Sequence, residues 1–198
     1  MFRPQVPTLL ALPLCLLAGS AESHPHVWVD YDLTALFEQG RIVALRQDWS
    51  FDEDFSASVL TDVVKHRSKG PLLPGEVAKL ERSAFSNLKN YGYFNHVWAG
   101  DKPVALDKDV KDFEARLDGD RLAYRFTVVL SQPVDPRAGA IRIGIWDDTY
   151  YVDVGPAKGH APRLEGAGAE GCKASIGEDK KHPIYFGSVF PPSVQISC

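Results

Sequence analysis

The stretch "AESHPHVWVD" sets His24 and His26 around Pro25, directly after the small residues Ala21 and Ser23. Those small residues are spaced as a signal peptidase requires, so cleavage after Ser23 is expected and would make His24 the first residue. A free terminal amine, with a pKa of roughly 8, sheds its proton readily enough to bind metal alongside an imidazole nitrogen. Pro25 has no amide hydrogen, which closes the square-planar mode that deprotonates backbone amides ahead of a third-position histidine. Coordination therefore falls to the His24 and His26 side chains, the amine, or both. Nitrogen donors of this kind suit copper, nickel, cobalt or zinc, whereas calcium and magnesium take oxygen. The plain alternative is that "HPH" is a polar entry into the first strand.

Further ligands must come from elsewhere in the chain. His96, in "YGYFNHVWAG", is the best remote histidine, although an aromatic setting also suits a histidine satisfied within the core. Asp147 and Asp148, in "WDDTYY", offer a carboxylate ligand, an outer contact to one, or ordinary turn acids. Asp30 falls about 13 Å from His26 by strand rise, too far to share one ion. His66, His160 and His182 sit in segments that read as surface turns. The sequence contains no G-x-S-x-G, no P-loop and no H-E-x-x-H, and the acids at 52–54 read as a helix start rather than a catalytic cluster. No catalytic residue is assigned, and the chain is not read as an enzyme.

The elements that must hold these residues can be read from periodicity. Val27, Val29, Tyr31 and Leu33 alternate with His24, His26, Trp28, Asp30 and Asp32, so a strand is expected to turn its apolar side inward and both histidines to the other side. "EQGR" then turns the chain into a returning strand, "IVALRQDW". Between about 52 and 92 the spacing becomes helical, with Phe55, Val59, Leu60, Val63 and Val64, then Val77, Leu80, Ala84, Phe85 and Leu88. "KGPLLPGE" separates the two runs, which predicts an inserted two-helix hairpin. Strand-like runs follow in "FNHVWAG", "FEARLDG", "RLAYRFTVVLS", "AIRIGIWD", "TYYVDVG" and "CKASIG", while "PAKGHAPRLEGAGAEG" reads as a loop. The expected class is α+β, a mostly antiparallel β-sandwich-like domain over residues 24–198 carrying the helical hairpin.

Composition narrows the function classes. The 198 residues carry a net charge of −4 and no basic block, which argues against nucleic acid as a partner. Residues 1–23 read as a signal peptide, with Arg3 ahead of "LLALPLCLLAG", an apolar run too short to span a bilayer. Cys15 lacks the small residue that precedes a lipidated cysteine. An exported chain with no membrane insertion after cleavage is therefore expected. Beyond the leader remain Cys172 and Cys198, and an even count in an oxidising compartment predicts a disulfide. In the chain-entropy account, such a loop contributes roughly 3 kcal/mol.

"HPHVWVDYDL", "DWSFDEDFSASVL", "LKNYGYFNHVWAGDKPV", "PVDPRAGAIRIGIWDDTYYVDV" and "RLEGAGAEGC" together resemble domain of unknown function 1007. Its members are secreted bacterial proteins regarded as periplasmic components of transport systems, often encoded beside nickel/cobalt- or zinc-type transporters. The family's opening H-P-H-x-W matches His24, Pro25, His26 and Trp28. Its Y-F-x-H matches Tyr93, Phe94 and His96, and its Y-D-x-x-Y-Y matches Asp147, Tyr150 and Tyr151, with Trp146 in place of the usual tyrosine. Many relatives carry an EF-hand-like acidic loop between the helices. Here Lys65, Arg67 and Lys69 occupy ligand positions and only Gly70 and Glu76 resemble it, so calcium is not expected.

The resulting expectation is a periplasmic carrier, or accessory protein, of a transition metal that works with a membrane metal transporter. His24 and His26 are its principal ligands, and His96 and Asp147 are candidates to complete the site. Two rivals stand beside it: a copper oxidase with an N-terminal histidine brace, and a metal-free interaction module built on the aromatics.

Overall fold

The computed structural model describes residues 25–64 and 71–198. The expected leader, His24, and the inter-helix residues Lys65, His66, Arg67, Lys69 and Gly70 lie outside the described residues.

Alternation does what the sequence requires of the first strand. In β1 (Val27–Glu38) the residues Val27, Val29, Tyr31 and Leu33 are buried, while Trp28 and Asp30 face solvent. Its return, β2 (Arg41–Phe51), pairs antiparallel with it through Val29↔Phe51 and Tyr31↔Trp49. A long β6 (Arg121–Val134) and β5 (Lys111–Asp118) extend the same sheet. On its other side β1 is flanked by two short parallel strands: β8 (Val152–Pro156) beside its first half and β9 (Arg163–Gly166) beside its second.

The second sheet runs β10-β11-β7-β3-β4, with β3 (Asn95–Ala99), β4 (Lys102–Pro103), β7 (Ile141–Ile145), β10 (Lys173–Glu178) and β11 (Pro192–Ser197). Its inward residues Val97, Ile143, Val194 and Ile196 join Tyr31, Trp49 and Phe126 of the first sheet in one apolar cluster. Each fully buried side chain of this kind contributes about 1.5–3 kcal/mol. The molecule is thus mostly β, two open sheets with one helical region.

That region begins with α1 (Glu53–Val63), where the Asp52 side chain accepts from Phe55 N at 2.8 Å. In α2 (Pro74–Leu80), proline opens the helix and Glu76 reaches back to the Leu73 amide at 2.8 Å. Leu60, Val63, Leu80 and Phe85 carry the buried face. Past Leu80 the helix loosens into a π-type turn over 81–85 and then a 3₁₀ stretch over 86–94. A second regular helix is therefore shorter than the sequence spacing predicts.

Three further points differ from the sequence reading. The segment read as a loop after Pro156 contains β9, and the chain end forms β11. Both pairings of β8 and β9 with β1 are parallel. "TYYVDVG" divides, with Thr149 to Tyr151 in a turn and the strand starting at Val152. The expected disulfide is present: Cys172 and Cys198 are bonded one residue beyond the Lys173↔Ser197 pair that ends the β10–β11 ladder.

Candidate metal centre

His26 stands at the exposed mouth of β1, and the strand is tied on both sides there. Its amide donates to Tyr151 O at 2.9 Å, and its ring lies 4.8 Å from the Tyr151 ring. On the opposite side, Trp28 N donates to Asp52 Oδ2 at 2.9 Å while Asp52 N donates to Trp28 O at 3.0 Å. Asp52 thereby fixes both the strand entry and the start of α1.

The turn that meets His26 is built by Asp147. Its Oδ1 accepts from Thr149 N at 2.9 Å and Thr149 Oγ1 at 2.8 Å, and its Oδ2 accepts from Tyr151 N at 3.1 Å and Val152 N at 3.2 Å. A buried carboxylate so fully engaged with its own turn acts as a brace for Tyr151. This geometry favours the turn role for Asp147 over direct ligation.

Left-handed backbone is concentrated around the same turn. Tyr93 and Phe94 follow Gly92 in that region, with φ of 51°, 59° and 59°. Tyr150 has φ 56°, and Tyr185 and Phe186 have φ 48° and 56°. Hydrogen bonds join the other two loops to the turn, Trp146 N to Phe94 O at 2.9 Å and Tyr185 N to Asp148 O at 3.3 Å, and Tyr150 N to Asp147 O at 2.9 Å closes the turn itself. Each such residue costs on the order of 1–2 kcal/mol, and strain of this kind collects where function constrains the backbone.

A buried polar relay supports that strain from beneath. Trp49 Nε1 donates to Gln47 Oε1 at 2.8 Å, Gln47 Nε2 to Asn95 Oδ1 at 2.5 Å, and Asn95 Nδ2 to Tyr93 O at 2.6 Å. Asn95 is next to His96, which faces outward on β3. The His96 Nε2 lies 3.2 Å from Trp146 O, and the ring stacks on Trp146 at 4.6 Å. An Nε2–H held by that carbonyl leaves the lone pair on Nδ1, an arrangement often seen in metal-binding histidines. His96 and His26, however, belong to different sheets and are linked through the 146–151 turn rather than by contact. Among the described residues no three His, Cys, Asp or Glu side chains converge on one point. His24, the partner nearest to His26 in sequence, lies outside them.

His182, which the sequence offered as a surface residue, belongs to an ordered cluster. Its Nδ1 lies 3.0 Å from Asp179 Oδ2, and its ring stacks on Trp98 at 4.2 Å. Trp98 also lies under the Arg142 guanidinium at 4.9 Å, and Arg142 pairs with Asp179 at 3.2 Å. Trp146 can reach this array because Gly144 has no side chain: a Cβ there would meet the Trp146 ring at 1.9 Å. His160 is paired as well, its Nδ1 being 2.7 Å from Asp32 Oδ1.

The acids around the mouth of β1 complete the electrostatics. Asp30 is held by Arg121 at 2.8 Å. Asp153, across from Trp28 on β8, receives Tyr150 Oη at 3.4 Å. Burial pushes the Asp153 carboxyl above its ordinary range and the Asp30 charge adds to this, partly offset by the Tyr150 hydroxyl.

A family model described as a protein of unknown function, DUF1007, matches residues 9–186. An uncharacterized protein of Haemophilus influenzae is 26% identical over 131 residues, 66% of this chain and 61% of its own length. An uncharacterized 15.5 kDa protein of Spirochaeta aurantia, from the trpE 3′ region, is 32% identical over 79 residues, 40% of this chain. The matches span 61% and 55% of the lengths of these two relatives. Among solved structures, an aminopeptidase N family protein of Idiomarina loihiensis matches 85% of this chain and 29% of its own at 10% identity. Its TM-score of 0.29 is too low to bear on fold or activity.

Proposed function

This chain belongs to the DUF1007 family of proteins of unknown function, and on that footing we propose that it is a periplasmic transition-metal-binding protein that hands its ion to a membrane transporter. The observation that carries this reading is the exposed His26 imidazole, fixed at the strand mouth by Tyr151 and Asp52, where His24 and a terminal amine would follow within two residues. Two imidazoles and an amine give a nitrogen-rich site for copper, nickel, cobalt or zinc. Basic residues between the helices still argue against calcium there.

In this account His24 and His26 bind the ion. Asp147 orders the turn that presses Tyr151 against His26, and His96 secures the same turn through the Trp146 carbonyl. The strained loops around that turn keep the mouth of β1 preorganised, which lowers the ordering cost of binding. A site on the molecular surface can release its ion, as a carrier must. The two sheets sharing one core form, on this reading, a sandwich that serves as the rigid support.

Equilibrium dialysis against a transition metal tests the proposal. The mature chain should retain about one ion, and His24→Ala/His26→Ala should retain none. Equal metal content in the two proteins would overturn it.

A further inference from the structure

Thr127 of β6 is 7% exposed, and its hydroxyl makes no hydrogen bond among the described residues. A buried hydroxyl left without a partner costs stability unless something else completes it. The side chain lines two adjoining cavities on the outer face of the first sheet, of about 460 and 550 Å³, which also share Leu36. Cavities of this size accept a small organic molecule.

Strand register supplies the surroundings. One row across the sheet runs Arg163, Thr34, Arg46, Thr127, Lys111, each residue paired with the next. Side chains in such a row share a face, so three cations alternate with two hydroxyls. The adjacent row, Glu165, Leu36, Ala44 and Val129, is apolar past its first member. The joined cavities therefore have a cationic side and an apolar side.

Charge is not balanced along the cationic row. Arg46 is held by Glu165 at 2.6 Å, whereas Arg163 bonds only Thr34 Oγ1, at 3.3 Å. Among the described residues neither Arg163 nor Lys111 has a carboxylate partner. On the other flank Asp48 is engaged by Arg116 and Arg125, and Glu114 lies 3.8 Å from Arg125. Asp112 is the one acid left unpaired at this rim among the described residues, against two unpaired cations. In a chain of net charge −4, that local excess around an unpartnered hydroxyl marks a position for an anion.

We infer that this face binds a small organic carboxylate with an apolar body. The carboxylate accepts from the Thr127 hydroxyl and is neutralised by the flanking Arg163, Arg46 and Lys111. The body lies on Leu36, Ala44 and Val129. Glu165 already sets a carboxylate on Arg46, and a pair this exposed is weak enough for a ligand to displace. Thr34 stands about 23 Å along β1 from Val27, so this site is separate from the strand mouth.

Octanoate, octanol and inorganic phosphate are the probes, titrated calorimetrically into the unaltered chain and its variants. Octanoate should bind one per chain, at least about tenfold more tightly than octanol or phosphate. Arg163→Gln/Lys111→Gln should weaken octanoate about tenfold and leave the thermal midpoint within about 2 °C, because neither cation holds an acid. Glu165→Gln, which releases Arg46, should tighten octanoate about threefold. No octanoate binding, or an affinity unchanged in both variants, would overturn the site. Octanol binding as tightly as octanoate would overturn its anionic side, and phosphate doing so would overturn its apolar side.

Discussion

Asp179 and Asp153 are both drawn into the protein surface, yet their surroundings push them in opposite directions. Burial would raise the Asp179 carboxyl, but the His182 imidazole, the Lys181 amide and the Arg142 guanidinium outweigh it and hold the group below its ordinary range. A depressed carboxylate stabilises the fold above the unfolded-state pKa, and that contribution disappears as pH falls through the folded-state value. Asp179→Asn should therefore cost about 2–4 kcal/mol near neutral pH, with the gap to the parent protein shrinking below about pH 4. Urea unfolding at pH 7 and pH 3 measures this, and an equal gap at both would contradict it. Asp153 has the reverse sign: held high by burial and Asp30, its charge works against folding as pH rises. The sequence made His26 legible because alternation alone puts it outward. Asp153 was not legible as the neighbour of Trp28, since that closeness depends on a parallel pairing that leaves no local pattern. The Asp179–His182 pair was equally hidden, because His182 reads as a surface-turn residue until Trp98 is brought over it.

Among the elements, those with long alternation were readable and those with short runs were not. β1, β2 and β6 each have more than ten residues, enough for a period of two to stand out. β9 has four residues within a Gly-, Ala- and Pro-rich stretch, and it owes its place to backbone pairing with β1. β11 begins on the second of two successive prolines, and only Val194 and Ile196 mark its inward face with apolar side chains. The helical periodicity persisted through 77–88, but the backbone past Leu80 departs from α geometry as it approaches the strained Tyr93–Phe94 turn. β10 is an edge strand, and the Cys172–Cys198 bond closes the ladder that joins it to β11. Replacing both cysteines by serine should lower stability by about 3 kcal/mol, with amide exchange accelerating first in β10 and β11. Exchange spread evenly over both sheets, or no loss of stability, would contradict that placement.

For the whole molecule, two open sheets and one helical region place a strand mouth, three strained loops and an outward aromatic array around the 146–151 turn. On the proposed reading, the rigid part of that arrangement is a support, and His26 stands at its edge. The chain carries a net charge of −4, while the outward acids Asp30 and Asp32 of β1 are paired with Arg121 and His160. The most direct test of the central claim is X-ray absorption at the metal edge of the loaded mature chain. The account predicts imidazole scattering from two histidines, nitrogen and oxygen neighbours at about 2.0–2.2 Å, and no sulfur shell. A metal surrounded by oxygen alone, or by sulfur, would contradict it.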